Sequence, residues 1–138
     1  IYKNEPELSA TIAWHLTHEN KERYQIEQTL LGFSHSIVGA LLLENWGIPE
    51  KVSEIVKYHH QPNDSSLYHK EAKLVGLADQ LVHFLETTTD LTDVDCKQLP
   101  ALINVYLDDL KISKLILFDL LTEVIEQSQA IEEIICTD

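Results

Sequence analysis

Apolar residues recur every three or four positions along most of this chain, and strand-like alternation over several residues is absent. That spacing puts apolar side chains on one face of a helix, so it predicts an all-α fold with no sheet. Glycine and proline are scarce and stand between the periodic segments, where helices begin or end. The pattern predicts about seven helices, near residues 7–17, 21–31, 35–46, 49–60, 69–86, 100–108 and 114–133.

Several boundaries carry recognisable signals. Gly32 stands where the second helix should end, since glycine readily adopts the left-handed conformation of a helix C-terminus. Ser34 is a typical N-cap for the third helix, and Pro49 suits the first position of the fourth. The polar, acidic stretch Thr87–Asp95 reads as a loop that joins a helical core to a C-terminal pair of helices. We therefore expect a single domain over residues 1–138.

Charge and composition exclude several classes of function. The formal net charge is −13, from 23 acidic and 10 basic residues. This disfavours binding to nucleic acid and to anionic membranes, which both select clustered Lys and Arg. No apolar run is long enough to span a bilayer, and Cys96 and Cys136 lack metal-site spacing, so we expect a cytoplasmic protein with free thiols. Because the sequence contains no methionine, we expect it to be an excerpt of a longer protein, or the ordered part of one.

Four residues are candidates for a shared polar site. Asp79 shares a face with apolar residues of the predicted fifth helix, where a carboxylate needs partners. His59 lies on the apolar stripe of the fourth helix, and His60 stands beside it. His35 lies one turn before Gly39, and a glycine permits the close approach of another helix because it has no side chain. If these helices converge, imidazoles and a carboxylate suit a divalent ion such as zinc, iron or manganese.

A plainer interpretation competes with a metal site. A histidine on an apolar helix face is usually a hydrogen-bonded core residue. Glu27 is expected to be a solvated charge on an exposed face. Motifs for nucleophilic catalysis and for phosphate loops are absent from the sequence.

The run Glu27–Pro49 (EQTLLGFSHSIVGALLLENWGIP) resembles the central signature of the HDOD domain, the HD-related output domain of bacterial signalling proteins. The segments His59–Pro62 and Leu77–Asp79 follow in the order expected for that family. The resemblance implies a compact HD-like helical domain with a core signature over 27–86 and a C-terminal helical extension over 98–133. It also implies that the chain holds mainly the second half of the domain.

The HDOD domain is similar to HD and HD-GYP metal-dependent phosphohydrolases. In HD-GYP enzymes a His, a His-His pair and a late Asp supply ligands to a metal cluster. The resemblance implies that His35, His59, His60 and Asp79 are the matching metal ligands. The His-Asp dipeptide that names those hydrolases is absent here, which favours a non-catalytic regulatory module with a signalling partner or attached signalling domain. A metal-dependent phosphohydrolase acting on nucleotides or cyclic dinucleotides, and a purely structural helical domain, are the alternatives.

Overall fold

The computed structural model of the chain describes residues 5–19, 21–87 and 99–135. The described residues form α-helices joined by short connections, with one 3-10 turn at Pro62–Asp64 and no strand. This confirms the predicted all-α class. The helices are α1 Pro6–His18, α2 Arg23–Leu31, α3 His35–Asn45, α4 Glu50–Tyr58, α5 His69–Thr87, α6 Ala101–Leu110 and α7 Lys114–Ile135.

The helix boundaries follow local chemistry. Gly32 ends α2 with φ of 80°, a left-handed conformation that costs glycine little. Pro49 takes the N-cap position of α4, one residue before its predicted place. Ser34 stands at the N-cap of α3 as expected, but its side chain makes no capping hydrogen bond. Its hydroxyl instead pairs with the Ser36 hydroxyl, with 2.7 Å between the two oxygens.

The chain divides into two compact units, Ile1–Gly76 and Leu77–Asp138, and the predicted single domain stays a prediction. In the first unit, α3 and α4 pack closely. A Cβ atom built on Gly39 would lie 3.2 Å from Cγ1 of Val56, so the absence of a side chain at Gly39 lets the two helices approach. This is the close approach that the sequence predicted, and it brings the start of α3 near the end of α4.

The second unit has its own apolar core, built from α6 and the helices around it. Ile103 and Leu107 are almost completely buried, and partly buried side chains such as Phe84 and Phe118 pack against the cluster. Its buried members are Leu77, Leu99, Ile103, Tyr106, Leu107 and Leu117. The predicted loop Thr87–Asp95 falls almost wholly outside the described residues, as do Cys96 and Cys136.

The apolar face that was predicted to be buried on α5, with Leu74, Val75, Ala78, Leu81, Val82 and Leu85, is buried only in part: Leu81 and Leu85 are half-buried, but the positions around Asp79 are exposed. Val75 and Val82 are 39% and 55% exposed, and Asp79 between them is exposed as well. The buried positions are instead Ala72 and Leu77, with Gly76. These residues also recur at helical spacing, because α5 carries apolar side chains on more than one face. Periodicity identified the helix but could not choose between these faces.

Among residues 5–19, 21–87 and 99–135, no single helix has both the length and the apolar content to cross a membrane. The pair α2 and α3 meets those criteria only when joined, and it is bent by 82°.

Candidate metal centre

Three of the four predicted site residues meet in the first unit. His35 is the first residue of α3, His59 directly follows α4, and His60 comes next. Each ring offers one nitrogen, and these three nitrogens all lie within 4.8 Å of one another. The turn at Gly32 and the close packing of α3 on α4 at Gly39 place them there. We refer to His35, His59 and His60 as the histidine cluster.

His59 is oriented by the backbone of its own helix. Its side chain is almost fully buried, and Nδ1 lies 2.6 Å from the carbonyl oxygen of Val56. A carbonyl can only accept a hydrogen bond, so Nδ1 of His59 carries the proton and donates it. In the neutral ring, Nε2 is then the unprotonated nitrogen, which is the form that binds a metal ion.

His35 is oriented by Glu27 on α2. Nδ1 of His35 lies 2.6 Å from Oε2 of Glu27, and the backbone N–H of His35 donates to that same oxygen over 2.7 Å. A carboxylate accepts hydrogen bonds, so the proton of the His35 ring resides on Nδ1. Nε2 therefore faces the rest of the cluster. This carboxylate–histidine pair is the usual outer support of a metal-binding imidazole.

His60 completes the cluster and contacts α2 as well. Its Nε2 lies 2.9 Å from Nε2 of His35, and its ring stacks on Tyr24 with 4.8 Å between centroids and 9° between planes. Burial first, then the neighbouring charges of His59 and His35, lower the pKa of the His60 imidazole to about 3. His60 is thus neutral at physiological pH, as a metal ligand must be.

The donor set fits a borderline divalent ion. Two nitrogens that bind one ion at about 2.0–2.1 Å each lie roughly 3 Å apart, which agrees with the separation of the His35 and His60 Nε2 atoms. Without an ion, one of those two nitrogens must donate a proton to the other. An ion at this point would replace that proton, so binding would compete with protonation.

The remaining candidate, Asp79, lies on α5 in the second unit. Among the described residues, the group of ligand atoms close enough to share an ion contains the three histidines and no carboxylate. The exposure of Asp79 removes the premise that it is a buried carboxylate in need of partners. Its role as a ligand stays a prediction.

Glu27 is the residue that the sequence interpretation missed. It was expected to be a solvated charge, and that expectation is wrong because its side chain is 1% exposed. A signal was available, since Glu27 shares a helix face with Tyr24 and Leu31 at helical spacing. A carboxylate on an apolar helix face needs partners, and Glu27, not the exposed Asp79, is the buried carboxylate.

Comparison with known proteins agrees with the sequence resemblance. Residues 1–62 match the family model of the HDOD domain. The matched segment contains all three residues of the histidine cluster together with Glu27. It overlaps the predicted core signature over residues 27–62 and also includes α1. No curated protein and no solved structure shows a significant match to the chain.

Proposed function

We propose that this chain, whose residues 1–62 match the HDOD domain, is a non-catalytic regulatory module of a bacterial signalling protein that holds a divalent ion on its histidine cluster. The observation that carries the proposal is the orientation of two rings, His35 and His59. Each donates its Nδ1 proton to a fixed acceptor, which leaves Nε2 as the nitrogen available to an ion, and one nitrogen from each ring of the cluster lies within 4.8 Å of the others.

The donor set favours a binding role over hydrolysis. A binuclear phosphohydrolase site needs carboxylates to bridge its ions, and the group of close donors in the described residues offers only imidazoles. Glu27 is on the outer side of His35, bonded to Nδ1. The net charge of −13 would also repel a phosphate substrate. When bound, an ion at this cluster would supply a positive charge that ties α3 to the end of α4.

The regulatory part of the proposal rests on the family match and on the missing His-Asp dipeptide. The HDOD resemblance implies a partner protein or an attached signalling domain, in the cytoplasm of a bacterium. Iron, manganese and zinc all suit nitrogen donors, and three imidazole nitrogens particularly suit zinc. The metal-dependent phosphohydrolase remains the competing function.

One set of measurements separates these functions. Calorimetric titration with Zn²⁺, Mn²⁺ and Fe²⁺ (the last without oxygen) is carried out on the whole chain and on His35→Ala, His59→Ala and the control His69→Ala. His69 is exposed at the start of α5, outside the cluster. We expect one ion per chain, lost in the two cluster variants and retained in the control. Hydrolysis of bis(p-nitrophenyl) phosphate and of cyclic dinucleotides is measured with each ion, and no turnover is expected.

The outcomes discriminate clearly. Turnover that disappears in His35→Ala would replace the regulatory proposal with the hydrolase. Failure of every ion to bind would leave a hydrogen-bonded core cluster and overturn the ion-binding role. For the regulatory role, amide hydrogen exchange with and without ion should reveal protection beyond the cluster itself. Protection confined to His35, His59 and His60 would indicate a local ion site with no means of relaying its state.

A further inference from the structure

The Glu27 carboxylate is buried where a charge is expensive. Its side chain is 1% exposed, and an unpartnered carboxylate at such a position would cost several kcal/mol. Three donors compensate for that cost. Oε2 accepts hydrogen bonds from the backbone N–H and from Nδ1 of His35, and Oε1 lies 3.5 Å from Nε of Arg23. Two of the three donors belong to a single residue of the histidine cluster.

The same oxygen also supports the start of α3. The first backbone N–H groups of a helix have no acceptor within the helix, and the N-cap side chain usually provides one. Here Ser34 does not, because its hydroxyl pairs with that of Ser36. Glu27, from the preceding helix, accepts the N–H of His35, which is another of these first backbone groups without an acceptor in the helix. A negative charge at this point is also favoured by the dipole of α3.

We propose that Glu27 is a positioning residue that fixes the ring tautomer of His35 and links ion binding to the junction between α2 and α3. This inference rests on the ion-binding role proposed above. An ion on Nε2 draws electron density from the imidazole, so the Nδ1–H becomes a stronger donor to Glu27. Binding of an ion therefore tightens the attachment of α2 to the start of α3. The stack of Tyr24 on His60 is a second contact between α2 and the cluster.

This linkage makes α2 the element that responds to the presence of the ion. The helix supplies the partner of one ligand through Glu27 and the stacking partner of another through Tyr24. It also brings Oε2 of Glu22 to 3.9 Å from Nδ1 of His60. A bound ion would thus be sensed along α2 from Glu22 to Glu27, over more than one helical turn.

The test uses Glu27→Gln with Glu19→Gln as its matched control. Glu19 bonds Nδ1 of His15 over 2.6 Å, which is the same pairing of carboxylate and imidazole away from the cluster. An amide at position 27 can donate to Nδ1 of His35, which would move the ring proton to Nε2 and block the ligand atom. We expect Zn²⁺ affinity of Glu27→Gln to fall by roughly 10–100-fold. Glu19→Gln should bind Zn²⁺ as the unchanged protein does.

Two further readouts do not depend on the variant being folded. Nitrogen NMR of the imidazole rings in the unchanged, ion-free protein should show the His35 proton on Nδ1. Amide exchange of His35 and of α2 should slow when Zn²⁺ is added. A His35 proton found on Nε2, or equal Zn²⁺ affinity in Glu27→Gln, would overturn the positioning role while leaving the ion-binding function intact.

The converse failure is also recognisable. If the unchanged protein binds no ion, the proposed ion-binding function fails, and with it the linkage between the ion and α2. The tautomer measurement then decides the structural half of the inference by itself. A proton on Nδ1 in the unchanged protein and on Nε2 in a folded Glu27→Gln would support Glu27 as the residue that orients His35.

Discussion

Substitution of Gly39 by alanine tests whether the contact between α3 and α4 controls the histidine cluster. Gly39 lies one turn after His35 on α3, and the facing residue on α4 is Val56. The carbonyl of Val56 accepts the hydrogen bond of His59. The separation of the helices at this contact therefore sets the distance between His35 and His59. An added methyl group acts directly on that separation.

Two opposing effects determine how much Gly39→Ala changes the stability of the protein. Alanine inside a helix is more favourable than glycine by about 0.8–1.0 kcal/mol. The new Cβ would lie 3.2 Å from Cγ1 of Val56, closer than an ordinary contact of 3.4–4 Å. Overpacking costs about 1–3 kcal/mol, and a displacement of a few tenths of an ångström belongs at the lower end, about 1–1.5 kcal/mol. Gly39→Ala alone should thus change stability little, or lower it by up to about 0.7 kcal/mol.

The informative quantity is the coupling with Val56→Ala, which removes the opposing methyl groups. In that background Gly39→Ala should stabilise the protein by the full helix gain, so the coupling energy should be about 1–1.5 kcal/mol. Urea unfolding followed by far-UV circular dichroism and tryptophan fluorescence measures it, since Trp14 and Trp46 both lie in the first unit. Additive effects of the two substitutions would refute the close contact. The Zn²⁺ affinity of Gly39→Ala should also fall, and Val56→Ala should restore part of it.

Three other predictions concern separate parts of the chain. Gly32→Ala should destabilise the first unit by about 1 kcal/mol in urea unfolding, because φ of 80° is strained for alanine; an unchanged midpoint would contradict that conformation. Ile103→Ala should lower the stability of the second unit by about 2–5 kcal/mol, measured by amide exchange in α6, because the side chain is fully buried; a cost near that of an exposed site would contradict the core assignment. In the ion-free protein, the His60 pKa falls from 6.5 to about 3 on folding, so the unfolded chain takes up the proton first as pH drops. The stabilising contribution of neutral His60 should therefore be fully present above about pH 6.5 and decline toward pH 3. The free energy of unfolding should fall by less than about 1.4 kcal/mol per pH unit, because solvent screens part of the effect. His60→Gln should flatten this pH dependence in urea titrations at several pH values.

The helices themselves were largely predictable because their signals are local. Apolar spacing, the glycine after α2 and the prolines before α4 and α6 act on neighbouring residues, and each observed helix of the described chain lies within a few residues of its predicted place. The convergence of His35 with His59 and His60 was also predictable. A glycine one turn after His35 indicated where two helices could approach, and the structure places the three rings together.

The partners of these rings were harder to predict. Glu27 precedes His35 by eight residues and lies on the other side of the turn at Gly32. Spacing rules for residues three or four positions apart on one helix therefore do not predict this contact. The burial of Glu27 follows from donors that another helix supplies. The same limit explains α5, where Asp79 was expected to be buried and is exposed. A helical wheel orders the faces of a helix, but only packing against other helices decides which face is covered.

The sequence by itself determined the helical class, the order of the helices and the residue types that can bind an ion, because these depend on local conformational preference and on side-chain chemistry. The tertiary structure decided which charges are buried and which nitrogens face one another. A buried carboxylate is tolerated only where donors from elsewhere in the fold meet it, as the N–H and Nδ1–H of His35 meet Glu27. That pairing orients the His35 ring, as the carbonyl of Val56 orients His59, so that the histidine cluster becomes a site with oriented ligands.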